Sequence, residues 1–271
     1  MPKVVLITGA TSGMGKVTAQ RLAEAGYRVY GGVRRRERSA DLPDRVTPID
    51  LDVTKADSVK DAVATVVGRE GRIDVLVNNA GYGLVATVEE GSDEEMFDQF
   101  DVNVFGLLRV TREVLPHMRR TGGGVIINIG SFLGKMGLPL LTHYNASKYA
   151  VEGITDSLRF ETLPFNIRVH TIRSGLFGTN FVKKGLVVNA DTLSEDSPYK
   201  ALVSHFVPIV ANAINEGPPP EPIAEAVKRI IEEEDADIFV SVGSEAETFV
   251  PMRRELDDKS FEKRVKETFG I

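Results

Sequence analysis

There is no cysteine and no tryptophan in this chain, and only four histidines among 271 residues. Without cysteine, disulfides, thiolate nucleophiles and iron–sulfur ligation are excluded. His117, His143, His170 and His205 are scattered without metal-ligand spacing, so no metal is expected. No apolar run approaches the length that crosses a bilayer. The opening "MPKVVLITG" runs straight into a strand pattern, with none of the regions of a signal peptide. A cytoplasmic protein with no membrane partner is expected. Positive charge is nowhere concentrated in a long run. The net charge is −6 and the densest basic run is the short "RRRERS" at 34–39, which argues against nucleic acid as a partner.

What is present reads as an α/β protein. Apolar residues make up 42% and charged residues 27%, the mix of a globular chain that buries a core without staples. Short β-rich runs lie at 3–8, 27–33, 45–50, 73–78, 124–130, 167–172 and 237–242. Most are almost continuously apolar, as strands covered on both faces are. Helical patterns fill the gaps near 14–25, 55–69, 93–119, 143–162 and 221–234. Strand, helix, strand, repeated, predicts a doubly wound sheet of about seven parallel strands with helices on both faces. The segment 180–220 breaks the rhythm. It carries its own helical stretch and closes on "NEGPPPEP", so it reads as an insertion within a single domain spanning 1–271.

The first strand runs into "TGATSGMG", residues 8–15. Gly9, Gly13 and Gly15 stand between a strand and a helix, with Thr11, Ser12 and Met14 in the same turn. Glycine there lets backbone approach a pyrophosphate, and the helix N-terminus offers free N–H groups and a positive dipole end. A tight turn with no ligand would use the same residues; the position at the first crossover favours the nucleotide. The second strand ends "YGGVRRRER". A site for NAD commonly ends this strand in a carboxylate that binds ribose hydroxyls. Here Val33 takes that place and Arg34, Arg35 and Arg36 follow. Guanidinium groups match phosphate, so NADP(H) is favoured over NAD(H), with Arg34, Arg35 and Thr11 as the contacts.

Further pieces follow in order. "NNAG" lies at 78–81, Asn103 sits in "DVNVFG", Ser131 ends "INIGS", and Tyr144 and Lys148 stand in "HYNASKY". With the glycine turn, this set resembles the short-chain dehydrogenase/reductases, in their single-domain branch with a Ser-Tyr-Lys active site, over essentially the whole chain. The resemblance implies an NADP-dependent enzyme that interconverts a ketone and a secondary alcohol by hydride transfer. It implies that Tyr144 is the general acid or base. It implies that Lys148 lowers the phenol's pKa and holds the nicotinamide ribose, that Ser131 fixes the substrate oxygen, and that Asn103 holds a relay water. A free phenol titrates near ~10, so an adjacent cation is the expected correction. By the same resemblance Asp52 and Val53 contact the adenine, and Asn79, Ala80 and Gly81 pass under the adenosine ribose. The family's Pro-Gly-x-x-x-Thr appears as "SGLFGT", 174–179, so Gly175 and Phe177 are expected at the cofactor and Thr179 at the nicotinamide carboxamide or the diphosphate. Ser174 in place of proline predicts a less rigid loop.

The insertion is where this family builds a substrate lid, and loops carry specificity on such scaffolds. Phe181, Leu186, Val187, Val188, Leu202, Phe206, Val207 and Ile209 are candidates for an apolar wall, with Tyr82, Leu84, Phe132, Leu133 and Met136 nearer the reacting oxygen. An apolar or steroid-like carbonyl fits better than a sugar, and the chain is similar to the hydroxysteroid dehydrogenase-like members. A 3-oxoacyl-thioester reductase is the alternative enzyme. A catalytically silent NADP-binding regulator is the alternative from another class. The family resemblance also implies a homodimer or homotetramer. Phe261, Val265 and Phe269 lie on one side of a C-terminal amphipathic helix whose first expectation is core packing.

Overall fold

The computed structural model describes residues 1–34, 36–179 and 181–271, with backbone alone for Arg36 and Lys184. The strands, in chain order, are β1 (Val4–Ile7), β2 (Arg28–Val33), β3 (Thr47–Asp50), β4 (Val75–Asn78), β5 (Gly83–Val85), β6 (Gly124–Ile129), β7 (Ile167–Ser174), β8 (Leu186–Val188) and β9 (Phe239–Val242). The helices are α1 (Gly13–Glu24), α2 (Ala56–Glu70), α3 (Asp93–Phe100), α4 (Leu107–Arg120), α5 (Thr142–Thr162), α6 (Phe181–Lys184), α7 (Lys200–Asn215), α8 (Glu221–Glu232), α9 (Ser244–Glu255) and α10 (Asp258–Phe269).

Seven strands form one parallel sheet in the order β3-β2-β1-β4-β6-β7-β9, a doubly wound Rossmann arrangement. Alternate side chains of each strand enter two different cores. Val5 and Ile7 point into the core that α1 and α8 cover; Val4 and Leu6 point into the core under α2, α4 and α5. This is why the strands read as continuous apolar runs. The strand order reverses between β1 and β4, and in open α/β sheets the crevice at such a reversal, beyond the strands' carboxyl ends, takes the ligand.

A buried polar ladder crosses the central strands. Asn78 donates to Asn128 at 2.9 Å, Asn128 donates to Thr155 of α5 at 2.9 Å, and Thr155 and Thr171 share a hydrogen bond of 2.7 Å. Asn78 is thus a structural residue of the "NNAG" motif.

The stretch expected as one helix over 93–119 is interrupted. Ser92 and Glu95 close a capping box that starts α3, and a π-helical segment, Asp101–Gly106, separates α3 from α4. A π turn inserts one residue without disturbing apolar spacing on either side, so periodicity does not reveal it. The 180–220 insertion adds α6, β8 and α7. Strand β8 pairs in parallel with β5, a ribbon too short to be read from sequence. A third core joins α7, α9, α10 and the turn after Ser131. Phe132 stacks on Phe249 at 6.3 Å between ring centroids, and Phe249 on Phe269 at 5.6 Å. Phe261, Val265 and Phe269 are buried there. Among the described residues, no helix is long and apolar enough to cross a membrane.

Candidate active site

A cleft of about 700 Å³ runs across the carboxyl ends of the central strands. Its floor at β1 is the glycine turn. Gly9 and Gly13 adopt φ of +67° and +54°, which side-chain-bearing residues rarely take. Gly9, Thr11, Ser12, Gly13 and Met14 line the cleft. Ser12 makes no side-chain cap on α1, and the first turn of that helix carries no acidic residue. The helix end therefore keeps its positive character toward the cleft. Gly15 has a different task from the one its spacing implied. It is buried and does not line the cleft. A Cβ there would lie 2.3 Å from Asn79 Nδ2, so it lets α1 pack on the "NNAG" loop. Asn79 binds the turn in return, donating to the carbonyls of Thr8 and Gly9 at 3.0 Å each. Asn79, Ala80 and Gly81 line the cleft, as do Asp52 and Val53. Asp52 also accepts from Thr54 N at 3.0 Å and Thr54 Oγ1 at 2.7 Å, holding the corner ahead of α2.

At the end of β2, Arg34 is exposed at the cleft edge. Arg35 lies outside the described residues. Sequence reasoning missed Arg38, which a 3₁₀ turn, Arg36–Asp41, folds back to the cleft. Its Nε donates to Asp41 at 3.0 Å, and its Nη2 has no hydrogen-bond partner among the described residues. A guanidinium lining a cleft fits an anionic ligand group. With the uncapped helix end and the positive-φ glycines, the residues present fit a nicotinamide dinucleotide.

Ser131, Tyr144 and Lys148 also line the cleft, together with Gly175 and Phe177, while Thr179 lies beside Gly13 of the glycine turn. Ser131 caps the 3₁₀ turn Phe132–Gly134, accepting from Leu133 N at 3.1 Å. Tyr144 and Lys148 are one turn apart on α5. The Lys148 ammonium lies 5.6 Å from the centre of the Tyr144 ring and donates to Ile129 O at 2.9 Å. The expected lowering of the phenol's pKa by Lys148 is not what the structure gives. Burial pushes the Tyr144 phenol up to about 12, and a hydrogen bond with Ser131 pulls only partly the other way. Burial also lowers Lys148 to about 8. In the protein alone, burial sets the direction of both shifts.

Asn103 does not line the cleft. It sits in the π segment, accepts from Tyr82 N at 3.0 Å, and donates to Tyr82 O at 2.9 Å and Ser147 Oγ at 3.1 Å. Its side chain braces the strand after "NNAG" against α5. The loop after β7 is better held than the missing proline predicted. Ser174 Oγ donates to Gly130 O at 3.1 Å, and Glu245 accepts from Leu176 N at 2.9 Å.

From the 180–220 insertion Phe181, Leu186 and Val187 line the cleft, where Leu84 pairs with Val187, and Tyr82 and Leu133 line it as well. The Phe181 ring lies 6.5 Å from that of Tyr144. From α7 the wall residues are Val210 and Ile214. Phe132, Met136 and Phe206 are instead buried in the third core, and Val188, Leu202 and Val207 pack against it. Ile209 does not line the cleft either. Glu95 and Asp98 of α3 add two carboxylates to the cleft's lining.

The profile of the family described as "short chain dehydrogenase" matches residues 3–186. The chain belongs to the short-chain dehydrogenase/reductase family. It is an oxidoreductase of the carbonyl/alcohol type, and the family's cofactor is a nicotinamide dinucleotide. This short-chain dehydrogenase/reductase is 37% identical over 242 residues to a 3-ketodihydrosphingosine reductase of Bacteroides thetaiotaomicron, covering 89% of this chain and 88% of that one. It is 38% identical over 196 residues to 17-beta-hydroxysteroid dehydrogenase type 1 of Homo sapiens, covering 68% and 59%. A solved short-chain dehydrogenase from Streptomyces avermitilis superposes with a TM-score of 0.81 at 35% identity, covering 99% of this chain and 98% of that one.

Proposed function

We propose that this enzyme uses NADP(H) to interconvert an apolar ketone and its secondary alcohol, with Tyr144 as the proton donor in reduction. The observation that carries the reading is the convergence of Ser131, Tyr144 and Lys148 on one cleft whose other end holds the glycine turn and Arg38. Bound there, the nicotinamide would supply the hydride.

The chain's own residues account for the rest. Ser131 Oγ and the Tyr144 hydroxyl hold the substrate oxygen. A phenol with a high pKa is protonated at neutral pH, ready to donate as alkoxide character develops. Lys148 would hold the nicotinamide ribose and return a proton toward Tyr144. With the Asn103 side chain engaged by Tyr82 and Ser147, a relay water would be held by backbone in the π segment, not by the amide group. Arg34 and Arg38 would read the 2′-phosphate; Thr11 and the first turn of α1 would hold the diphosphate. Gly175, Phe177 and Thr179 would border the nicotinamide.

The walls supplied by Leu84, Leu133, Phe181, Leu186, Val210 and Ile214 favour an apolar substrate. The relatives named for a ketodihydrosphingosine and a hydroxysteroid point the same way. A second copy of the chain would cover the outer face of α5. There Tyr149 and Phe160 are exposed at helical spacing around Gly153, which has open space beside it, and Leu163 is exposed directly after the helix. Apolar residues flanking a glycine let two such helices approach closely.

The test is binding of NADPH and NADH, followed by fluorescence, with oxidation of each on long-chain ketones, steroid ketones, sugars and oxoacyl thioesters. Tighter NADPH binding and turnover on apolar ketones are expected. Turnover confined to the thioesters would instead make it a thioester reductase, and turnover confined to sugars would overturn the pocket assignment.

A further inference from the structure

One charged group lies outside the cleft and has no part in the scheme above. Glu152 of α5 and Arg173 of β7 are only 4% and 2% exposed. Arg173 Nε donates to Glu152 Oε1 at 2.9 Å and its Nη2 to Oε2 at 2.6 Å, a two-point fork. Lys135 Nζ reaches Oε2 from the third side at 3.0 Å. The Arg173 guanidinium also lies over the Phe239 ring, 4.4 Å from its centroid. A buried ion cluster is a poor way to gain stability, because apolar side chains of similar volume often serve as well or better. What is distinctive here is where its three members sit.

Glu152 is one turn beyond Lys148, on the same side of α5. Arg173 directly precedes Ser174 and Gly175 at the cleft end of β7. Lys135 directly follows the 3₁₀ turn that Ser131 caps. That turn is seated hard on α5: a Cβ on Gly134 would lie 2.9 Å from Lys148 O and 3.1 Å from Glu152 Cγ. Gly134 N donates to Ser131 O at 2.9 Å, so a shift at the Lys135 end of the turn is transmitted to Ser131.

We infer that Glu152 is a positioning residue, whose fork to Arg173 and bond to Lys135 set the Ser131 turn, the Tyr144–Lys148 helix and the loop after β7 in one register. The inference rests on the reading of Ser131, Tyr144 and Lys148 as the reacting set. A displacement near 1 Å is enough to slow such a site by about a hundredfold. A planar fork fixes both distance and plane, which a single contact does not.

Two variants test it. Arg173→Lys keeps the charge and loses the fork. The triple variant Lys135→Met, Glu152→Leu, Arg173→Met removes every charge and refills the space. The readouts are thermal midpoint, NADPH affinity, kcat and KM on the best ketone, and hydrogen exchange at the amides of Leu133 and Gly134. Folded variants are expected to bind NADPH within about twofold of wild type. Their kcat should fall by about tenfold to a hundredfold with KM little changed, and the two amides should exchange faster. Wild-type kcat in either folded variant would overturn the inference. Should the triple variant fail to fold, Arg173→Lys decides by the same criteria. Should the wild-type protein turn over none of the panel, the functional reading fails, and hydrogen exchange still decides this one: unchanged exchange at Leu133 and Gly134 overturns it.

Discussion

Lys148 donates a 2.9 Å hydrogen bond to the carbonyl oxygen of Ile129, from a site where burial holds its pKa near 8. The sign of the consequence is fixed. Below pH 8 the ammonium is charged both folded and unfolded, and the folded state bears the whole desolvation cost. Between about 8 and 10.5 the folded protein loses the proton first, and the cost fades. Lys148→Met should therefore melt at a higher temperature than wild type at pH 7, with the gap closing toward pH 10. The shift corresponds to roughly 3 kcal/mol, less about 1 kcal/mol for the lost hydrogen bond. Melts across pH check it. A Lys148→Met variant that melts no higher than wild type at pH 7, or a gap independent of pH, contradicts it.

Arg38 lines the cofactor cleft beside Arg34. Arg38→Ala should weaken NADPH by about tenfold to a hundredfold, the value of one or two charge-assisted hydrogen bonds, and leave NADH nearly unchanged. Arg34→Ala should act in the same direction and less strongly, because that side chain is exposed. Titration of both cofactors against both variants is the check; equal losses for NADPH and NADH would mean that neither arginine reads the phosphate.

Gly15→Ala places a methyl group 2.3 Å from Asn79 Nδ2 and 2.5 Å from Gly9 O. Neither neighbour can yield without opening the joint between the glycine turn and the "NNAG" loop. A loss of about 1–3 kcal/mol in unfolding free energy is expected, with weaker binding of both cofactors alike. Denaturant titration measures it, and a neutral result would mean that the joint has slack.

The sheet was legible because strands covered on both faces read as apolar runs, and the candidate set of Ser131, Tyr144 and Lys148 because its spacing matches the family's motif; the structure brings the three to one cleft. Other features left no such trace. "RRRERS" offers five arginine and glutamate side chains in a row, and only the 3₁₀ turn selects Arg38 to face the cleft. Helix α7 is apolar on more than one side, so spacing alone does not tell that Leu202 and Val207 pack on the third core, that Ile214 faces the cleft and that Val210 does both. The cation beside Tyr144 was visible; the desolvation that raises the phenol depends on burial, which belongs to the fold.

The outer face of α5 carries exposed Tyr149 and Phe160. Phe160→Glu should convert an oligomer to a smaller species in light scattering, with the fold intact by circular dichroism. A wild-type protein that is already monomeric at micromolar concentration would refute the second copy proposed for this face.

The measurement that bears most directly on the whole account is NADPH oxidation by wild type and Tyr144→Phe on an apolar ketone, with NADPH affinity measured alongside. Removing one hydroxyl should cut turnover by about a hundredfold to ten-thousandfold and leave the affinity within about twofold. A Tyr144→Phe enzyme that keeps substantial turnover would contradict the assignment of the proton donor and, with it, the mechanism built around this site.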